Sequence, residues 1–328
     1  MFEKQNNMIL YLSKSEVESV GVSMPEIIRE VENAFREKGN GRVEMPPKPG
    51  LHPKPDAFIH AMPAYIPSIK AMGIKWISAY PDNPKKGWPQ IAGLIILNDT
   101  ETGLPLAIMD GIWITAQRTA AATAVSAKYL ARPDSETVGI LGAGVQGFSN
   151  LEALKVFFPI KKVVVYDIVP EQLKKYEEKV SETWPDMEVL TVKHPKQAVQ
   201  GLDIVVTAGP IRLKPHATIK AGWFSKGSFA SLVDFDSYWS GEALQETDKF
   251  TTDDVPQLEY YRNAGYFQNI PSIYADLGEL VTGKKKGRED KNERTISCNL
   301  GLAIDDIATA SIIYKRAIEN GIGTKLLL

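Results

Sequence analysis

The first group of residues that suggests chemistry is a glycine-rich turn. Gly142, Gly144 and Gly147 have G-x-G-x-x-G spacing and directly follow the apolar run Val138–Leu141. In dinucleotide-binding folds the first glycine allows a tight turn, the second leaves room for a pyrophosphate, and the third lets a helix pack closely on the sheet. The N-terminus of that helix presents free N–H groups to the phosphates. The spacing predicts a dinucleotide site; a turn that merely packs tightly is the alternative.

Asp167 supplies the acid that such a site needs. It follows the β-branched run Val163–Val165, near the offset of about 20 residues at which a carboxylate accepts from a ribose 2′-OH. A 2′-phosphate would meet the negative charge of Asp167, and the next residues, Ile168 and Val169, carry no positive charge. The sequence therefore favours NAD over NADP.

Four further polar residues lie where they could act on a substrate. Lys75 is flanked by apolar residues on a predicted strand, and Arg118 stands at the start of an alanine-rich helix. Asp234 and Asp236 follow the apolar run Phe229–Val233, at the sheet edge where open α/β folds bind ligands. If that strand continued, both carboxyls would point to one face. Structural alternatives are a lysine that extends to water, a local ion pair for the arginine and a simple turn for the aspartates.

Metal and nucleophilic catalysis have little support. His60 has no second histidine or carboxylate at a ligand spacing, so we interpret it as a satisfied core histidine and expect no metal site. The single cysteine, Cys298, excludes a disulfide framework and a cysteine-based zinc site. No nucleophile-elbow pattern supports a Ser-His-Asp enzyme.

Composition limits the partners. The 328 residues include 38 basic and 40 acidic side chains, and the length suits one large or two ordinary domains. The basic run Lys284–Arg288 is followed by acids and predicts a solvated loop, so we expect no nucleic-acid partner. No apolar run is long enough to cross a membrane, and residues 1–7 lack the apolar core of a signal peptide. We expect a cytoplasmic enzyme.

Two kinds of predicted element would position these residues. The amino-terminal part predicts a mostly antiparallel sheet, and its proline-rich segment Pro46–Pro55 predicts a loop. The sheet's predicted strands are Met8–Leu12, Ala57–Met62, Ala71–Ala79, Ile91–Asn98 and Leu104–Met109. Beyond the helix Ile114–Leu130, strands alternate with helices, which predicts a parallel, doubly wound sheet ending with Phe250–Thr252. After a long helix, Asn299–Asn320, the tail Thr324–Leu328 could add a strand to the first domain.

Short motifs are distributed over nearly the whole chain. They are Met62-Pro-Ala-Tyr65, Gly73-Ile-Lys75, Pro81-Asp-Asn83, Asp99-x-x-x-Gly103, Arg118-Thr-Ala-Ala121, Gly142-Ala-Gly-Val-Gln146 and Gly301-Leu-Ala-Ile-x-Asp306. Together they resemble the ornithine cyclodeaminase/μ-crystallin family. Its members include ornithine cyclodeaminases, archaeal alanine dehydrogenases, ketimine reductases, N-alkyl amino acid dehydrogenases and hormone-binding μ-crystallins.

The resemblance implies an α/β protein with two domains. One is a Rossmann-type doubly wound parallel sheet domain that binds NAD, expected over residues 131–304. The other is an α+β substrate-binding and dimerisation domain built from both chain ends, expected over residues 1–130 and 305–328. The resemblance also implies a homodimer formed through the sheet of that second domain.

The resemblance also implies roles for individual residues. Lys75 matches a lysine at the substrate carboxylate and amine, Arg118 an arginine at the substrate carboxylate and cofactor, and Asp236 the catalytic aspartate. Lys48 replaces a substrate-binding arginine and keeps its charge but not its bidentate fork. The expected cofactor-binding residues are Gln90, Arg118, Gly142, Gly144, Val145, Gln146, Gly147 and Asp167, with the backbone of Ala230, Ser231, Leu232 and Val233 beneath the nicotinamide.

Two further departures from the family pattern bear on the substrate. His60 replaces a glutamate thought to hold the substrate side chain in ornithine cyclodeaminases, which counts against ornithine. Asp234 replaces a small residue, and a second carboxylate near Asp236 could raise one of their pKa values or bind a substrate amine.

We therefore expect NAD-dependent oxidation of an amino acid at its α-carbon, or the reverse reduction of an imine. Arg118 and Lys75 would hold the carboxylate, and the nicotinamide would take the hydride. Asp236 would act as general base on the water that attacks the imine. One alternative is cyclodeamination, in which the substrate's own side-chain amine attacks the imine and the hydride returns. The other is non-catalytic ligand binding of the μ-crystallin kind.

Overall fold

The computed structural model describes residues 8–328. Residues 1–7, where the sequence argues against a signal peptide, lie outside this range. The strands are β1 (Met8–Leu12), β2 (Gly50–Lys54), β3 (Ala57–Ile66), β4 (Ala71–Ala79), β5 (Ile91–Asn98), β6 (Pro105–Asp110), β7 (Thr137–Leu141), β8 (Lys162–Tyr166), β9 (Glu188–Thr191), β10 (Ile204–Thr207), β11 (Phe229–Leu232), β12 (Lys249–Thr252), β13 (Ile273–Asp276), β14 (Thr295–Cys298) and β15 (Thr324–Leu327). The helices are α1 (Lys14–Ser19), α2 (Met24–Gly39), α3 (Ile112–Leu130), α4 (Val145–Leu154), α5 (Pro170–Thr183), α6 (Gly241–Leu244), α7 (Val255–Asn263), α8 (Leu277–Val281) and α9 (Ala303–Asn320). Over the described range, no helix combines the length and apolar character needed to cross a membrane.

The described chain divides into two compact units, each with its own sheet. The first contains the described residues up to Arg118 together with Leu302–Leu328, and the second is Thr119–Gly301. The first division falls inside α3, whereas the sequence places the boundary after residue 130, at the end of that helix. The alanine-rich helix has no glycine or proline near Arg118 to mark the division.

The first unit is a seven-stranded sheet with the order β15-β1-β6-β5-β4-β3-β2. Strands β1 and β15 pair antiparallel, and β1 also pairs parallel with β6. The other pairs are antiparallel. Helix α9 packs on α2 and on β3, β4 and β5. Both ends of the chain therefore build this unit.

The proline-rich segment contains a strand, so the prediction of a loop over Pro46–Pro55 was wrong. Within residues 8–328, strand β2 lies at the edge of the sheet and pairs with β3 alone. An edge strand tolerates Pro53 because one side of its backbone needs no ladder hydrogen bonds.

The second unit is an eight-stranded sheet with the order β13-β12-β14-β11-β10-β7-β8-β9, and all its strand pairs are parallel. The chain moves outward from β7 to β9, then returns to the other side of β7 with β10, so the order reverses between β7 and β10. This is the Rossmann arrangement, whose ligands bind at that reversal. The expected fold class is confirmed, but β12 is not the last strand, because β13 and β14 follow it.

Candidate active site

The glycine-rich turn joins β7 to α4 at the reversal point of the second unit's sheet. Gly142 has φ +111°, and a Cβ added there would lie 2.6 Å from the carbonyl oxygen of Ala208. A Cβ at Gly147 would lie 2.2 Å from the Gly142 carbonyl oxygen, whereas a Cβ at Gly144 would meet nothing within 4 Å. The turn therefore has a first position that suits only glycine, an open second position and a tightly packed third position. This geometry fits a pyrophosphate against Gly144.

Asp167 follows β8 and is held beside this turn. Its Oδ2 accepts from the backbone N–H of Ala143 at 2.7 Å, and its Oδ1 accepts from that of Val169 at 2.9 Å. The carboxylate borders an open cleft of about 690 Å³, which Lys174 and Lys193 also line. The sequence analysis considered only the residues directly after Asp167. It therefore missed the two lysines, which α5 and the segment after β9 bring to this cleft.

The segment Ala230–Val233 continues along β11, two strands from β7. The hydroxyl of Ser231 is 2.8 Å from that of Thr123 and accepts from Asn299 Nδ2 at 2.9 Å. Its side chain is thus committed to a buried network, and the backbone of β11 pairs with β10 on one side and β14 on the other.

The strand does not continue through Asp234 and Asp236, so the condition under which both carboxyls would share one face is not met. Strand β11 ends at Leu232, and Phe235 has φ +62°, which turns the backbone between the two aspartates. Asp234 accepts from the Thr207 hydroxyl at 2.7 Å and from the Gly209 N–H at 3.2 Å. Its carboxylate is occupied within this unit and is completely buried, which argues against binding a substrate amine.

Asp236 is different, because it is buried but incompletely bonded. Its residue is 3% exposed, and its Oδ1 has no hydrogen-bond partner among residues 8–328. Burial raises the pKa of Asp236 to about 6. A carboxyl with such a pKa can take or give a proton near neutral pH.

The first unit contains a buried cluster of opposite charges. Lys75 is 0% exposed, so it does not extend to water. Its Nζ donates to Asp306 Oδ1 at 2.6 Å and to the Thr115 hydroxyl at 3.2 Å. Arg118 Nε donates to the same Asp306 oxygen at 2.9 Å. Burial, followed by the Arg118 charge, lowers the pKa of Lys75.

This cluster keeps capacity for an anion. Arg118 Nη1 is 3.9 Å from Asp305 Oδ2 but, within the described chain, makes no hydrogen bond. Lys48 is also buried, and its charge contributes to lowering the pKa values of His60 and Lys75. Burial lowers the pKa of His60 to about 2, so the ring is neutral where it stacks on Phe58. Lys75 and Arg118 converge on Asp306, and the unbonded Nη1 of Arg118 is suited to a substrate carboxylate.

Asp306 belongs to the site, but the sequence analysis gave it no role there. It belongs to the Gly301-Leu-Ala-Ile-x-Asp306 motif, and that motif was the available signal. The structure shows that Asp306 joins two predicted substrate-binding residues, Lys75 and Arg118.

The remaining predicted cofactor residues are Val145, Gln146 and Gln90. Val145 is exposed at the start of α4, and Gln146 follows it. Gln90 lies in the first unit, in the loop before β5, where its carbonyl accepts from the Tyr80 N–H at 2.8 Å. Among residues 8–328, no group of three or more His, Cys, Asp or Glu side chains is arranged to hold a metal ion.

The parallel sheet, the glycine turn and the oriented carboxylate define the second unit as a Rossmann-type dinucleotide-binding domain. The chain belongs to the ornithine cyclodeaminase/mu-crystallin family, whose profile matches residues 6–321. The resemblance based on the short motifs is thereby confirmed.

Several named dehydrogenases and reductases are similar to this protein over nearly its whole length. It is 36% identical to the alanine dehydrogenase of Archaeoglobus fulgidus, over 97% of this chain and 98% of that protein. The Delta(1)-pyrroline-2-carboxylate reductase of Thermococcus litoralis, solved with NADH and L-proline, superposes with a TM-score of 0.87 at 36% identity, covering 96% of this chain and 99% of that one. An archaeal alanine dehydrogenase dimer with bound NAD gives a TM-score of 0.86 at 34% identity, covering 97% and 99%.

Proposed function

We propose that this protein is an NAD-dependent oxidoreductase acting on the α-carbon of an amino acid, or on the corresponding imine in the reverse direction. The observation that carries the proposal is Asp236, a buried carboxyl with an unbonded oxygen and a pKa raised to about 6. It follows the carboxyl end of β11, in a unit built for a dinucleotide. The similar proteins, an alanine dehydrogenase and a pyrroline-2-carboxylate reductase, support redox chemistry on an amino or imino acid.

NAD is the cofactor, and when bound it accepts or supplies the hydride. The open side of Gly144 would receive its pyrophosphate, and Asp167 would accept from a ribose hydroxyl. The solved neighbours with NADH and NAD support this choice. Further contacts to NAD are proposed for Gln90, Arg118, Gly142, Val145, Gln146, Gly147 and the backbone of Ala230–Val233.

The substrate carboxylate is bound by the cations of the first unit. Arg118 and Lys75, which Asp306 holds in position, would donate to it, and Lys48 would add a third positive charge. In oxidation, Asp236 would accept the proton of the water that attacks the imine; in imine reduction, its acid form would give a proton to the imine nitrogen, which balances the hydride added to the carbon.

An imine panel tests this function. Purified protein would be mixed with NADH and Δ1-pyrroline-2-carboxylate, or with 2-oxo acids plus ammonia or methylamine, and NADH absorbance followed. We expect NADH oxidation with at least one imine and its loss in Asp236→Asn. Conversion of ornithine to proline without net NADH consumption would replace this function with cyclodeamination. Tight NADH binding without turnover of any compound would replace it with ligand binding of the μ-crystallin kind.

A homodimer formed through the first unit's sheet is part of the proposal. On the sheet face opposite α9, Trp76 is 45% exposed and stands directly beside Leu94, which is 46% exposed. Ile74 and Ile96 pair next to them. Exposed apolar patches of this kind mark protein interfaces, and the archaeal alanine dehydrogenase is a dimer. We also propose a cytoplasmic location, which the one cysteine, the free thiol Cys298, supports.

A further inference from the structure

Asp234 is a buried ionisable group that the proposed mechanism does not use. Its carboxyl is 0% exposed and accepts from the Thr207 hydroxyl and the Gly209 N–H. Thr207 is the last residue of β10, and β10 is the parallel neighbour of β11. Asp234 therefore ties the segment after β11 to the segment after β10, at the sheet edge that carries the candidate active site.

The turn that follows Asp234 is closed by its own hydrogen bonds. The Ser237 hydroxyl donates to the Asp234 carbonyl at 2.7 Å, and the Trp239 N–H donates to the Asp236 carbonyl at 3.0 Å. Ser237 Oγ also accepts from the Arg212 N–H at 2.9 Å. The turn is thus bonded to the segment after β10 on both sides of Asp236, while one oxygen of Asp236 makes no bond within the described chain.

Phe235 explains why such a tie is needed. Its φ of +62° is in the left-handed region, which a phenylalanine rarely adopts. Its ring packs with Tyr261, Tyr266 and Phe267, with centroids 4.9 to 5.5 Å apart. A strained residue keeps its conformation only where its surroundings determine it. The aromatic contacts hold one side of the turn, and the bonds of Asp234 hold the other.

We propose that Asp234 is a positioning residue that holds the Asp236 carboxyl in its buried, incompletely bonded position by tying the turn to Thr207 and Gly209. This inference deepens the proposed function and rests on it for the catalytic consequence. The positioning of the Asp236 carboxyl by Asp234 does not depend on the proposed function, because it is inferred from the hydrogen bonds alone.

Two substitutions, Asp234→Asn and Asp234→Ala, distinguish the effect of the hydrogen bonds of Asp234 from the effect of its negative charge. In Asp234→Asn the side-chain oxygen can accept from the Gly209 N–H while the amide donates to the Thr207 hydroxyl, so the tie is kept and the charge is removed. Asp234→Ala removes both. Thr207→Val breaks half of the tie without changing Asp234. Asp186→Ala, at an exposed aspartate of the same unit, is the matched control.

The first measurement does not require activity. Protein labelled with ¹³C at the aspartate carboxyls would be titrated by NMR, with the Asp236 signal assigned by its loss in Asp236→Asn. We expect the raised pKa of Asp236 to be kept in Asp234→Asn and to return toward the ordinary value in Asp234→Ala, with Thr207→Val between them. Equal titration in wild type and a folded Asp234→Ala would overturn the proposal. Equal shifts in the Ala and Asn variants would also overturn it, since charge and not position would then be the cause.

The second measurement is the catalytic consequence. In Asp234→Ala we expect kcat to fall on the order of tenfold to a hundredfold, as for a reacting group displaced by about 1 Å, with NADH affinity and KM changed little. Asp234→Asn should restore most of kcat, and in the Asp236→Asn background Asp234→Ala should have no further effect. A fall in KM and kcat together, not rescued by asparagine, would contradict positioning. A wild type that turns over no imine would defeat the proposed function but would leave the NMR result to decide the role of Asp234.

Discussion

Asp236 determines the pH response that the proposed reaction should show. Burial raises its pKa to about 6, and oxidation of an amino acid needs the carboxylate form. We expect kcat/KM for oxidation to fall as the pH drops through about 6, and kcat/KM for imine reduction to fall as the pH rises through about 6, because the acid form then donates the proton. Profiles measured in both directions would check this. Two profiles without a limb near pH 6 would remove Asp236 from the proton transfer.

Asp167 should control the choice between NAD and NADP. Its carboxylate would accept from a ribose hydroxyl and repel a 2′-phosphate, and Lys174 and Lys193 line the same cleft. Asp167→Ala should therefore weaken NADH binding and strengthen NADPH binding relative to it, measured by fluorescence titration of both nucleotides. Asp186→Ala is again the matched control. An unchanged preference between the nucleotides would show that the ribose contact is assigned wrongly.

At the residue scale, the sequence could indicate residue types but not their long-range partners. Local spacing located the glycine turn and Asp167, because a strand, a turn and a helix are adjacent in the chain. For Lys75 and Arg118 the residues alone left open an exposed lysine and a local ion pair. The partner of both is Asp306, which is 231 positions from Lys75 and 188 from Arg118. No local pattern can predict a pair separated by that distance.

Two glycines of the turn before α4 should have different roles: Gly144 leaves space for a ligand, and Gly147 allows close packing. A methyl group at Gly144 would meet no protein atom within 4 Å, whereas at Gly147 it would lie 2.2 Å from a backbone oxygen. We expect Gly144→Ala to fold normally but to bind NADH about tenfold more weakly, roughly 1.4 kcal/mol, because the methyl group occupies the proposed phosphate position.

Gly147→Ala is the matched variant. It should lower the free energy of unfolding by about 1–3 kcal/mol, as overpacking does. Thermal unfolding and NADH titration of both variants would separate the two effects. A stable Gly147→Ala protein, or undiminished NADH binding by Gly144→Ala, would contradict these assignments.

Many elements with ordinary apolar patterns could be predicted, whereas strands β2, β13 and β14 were missed, and the reasons are clear for β14 and β2. Strand β14 has the sequence Thr-Ile-Ser-Cys and is completely buried, although two of its residues are polar. The Ser297 hydroxyl donates to Asn299 and the Thr295 hydroxyl to the Leu130 carbonyl, so burial is compatible with their polarity. Strand β2 was missed because proline is a poor guide at a sheet edge. Both errors arise from a tertiary context that a local pattern does not contain.

The whole molecule should be a homodimer that depends on one face of the first unit's sheet. Trp76→Glu places a charge in the exposed apolar face beside Leu94. We expect sedimentation velocity to give a dimer for the wild type and a monomer for this variant. Trp88→Glu, at an exposed tryptophan outside the strands, should remain dimeric. A monomeric wild type, or a Trp76→Glu variant that stays dimeric, would exclude this face.

The first unit joins segments that are synthesised at very different times, because it contains both Lys75 and Asp306. Lys75 and Arg118 leave the ribosome well before Asp306, and at typical elongation rates the delay is on the order of ten to forty seconds. Residues Thr119–Gly301, in contrast, are contiguous and are complete before α9 and β15 appear. The nascent chain can therefore finish its dinucleotide-binding unit first, while the two cations stay hydrated until the C-terminal helix brings their counterion.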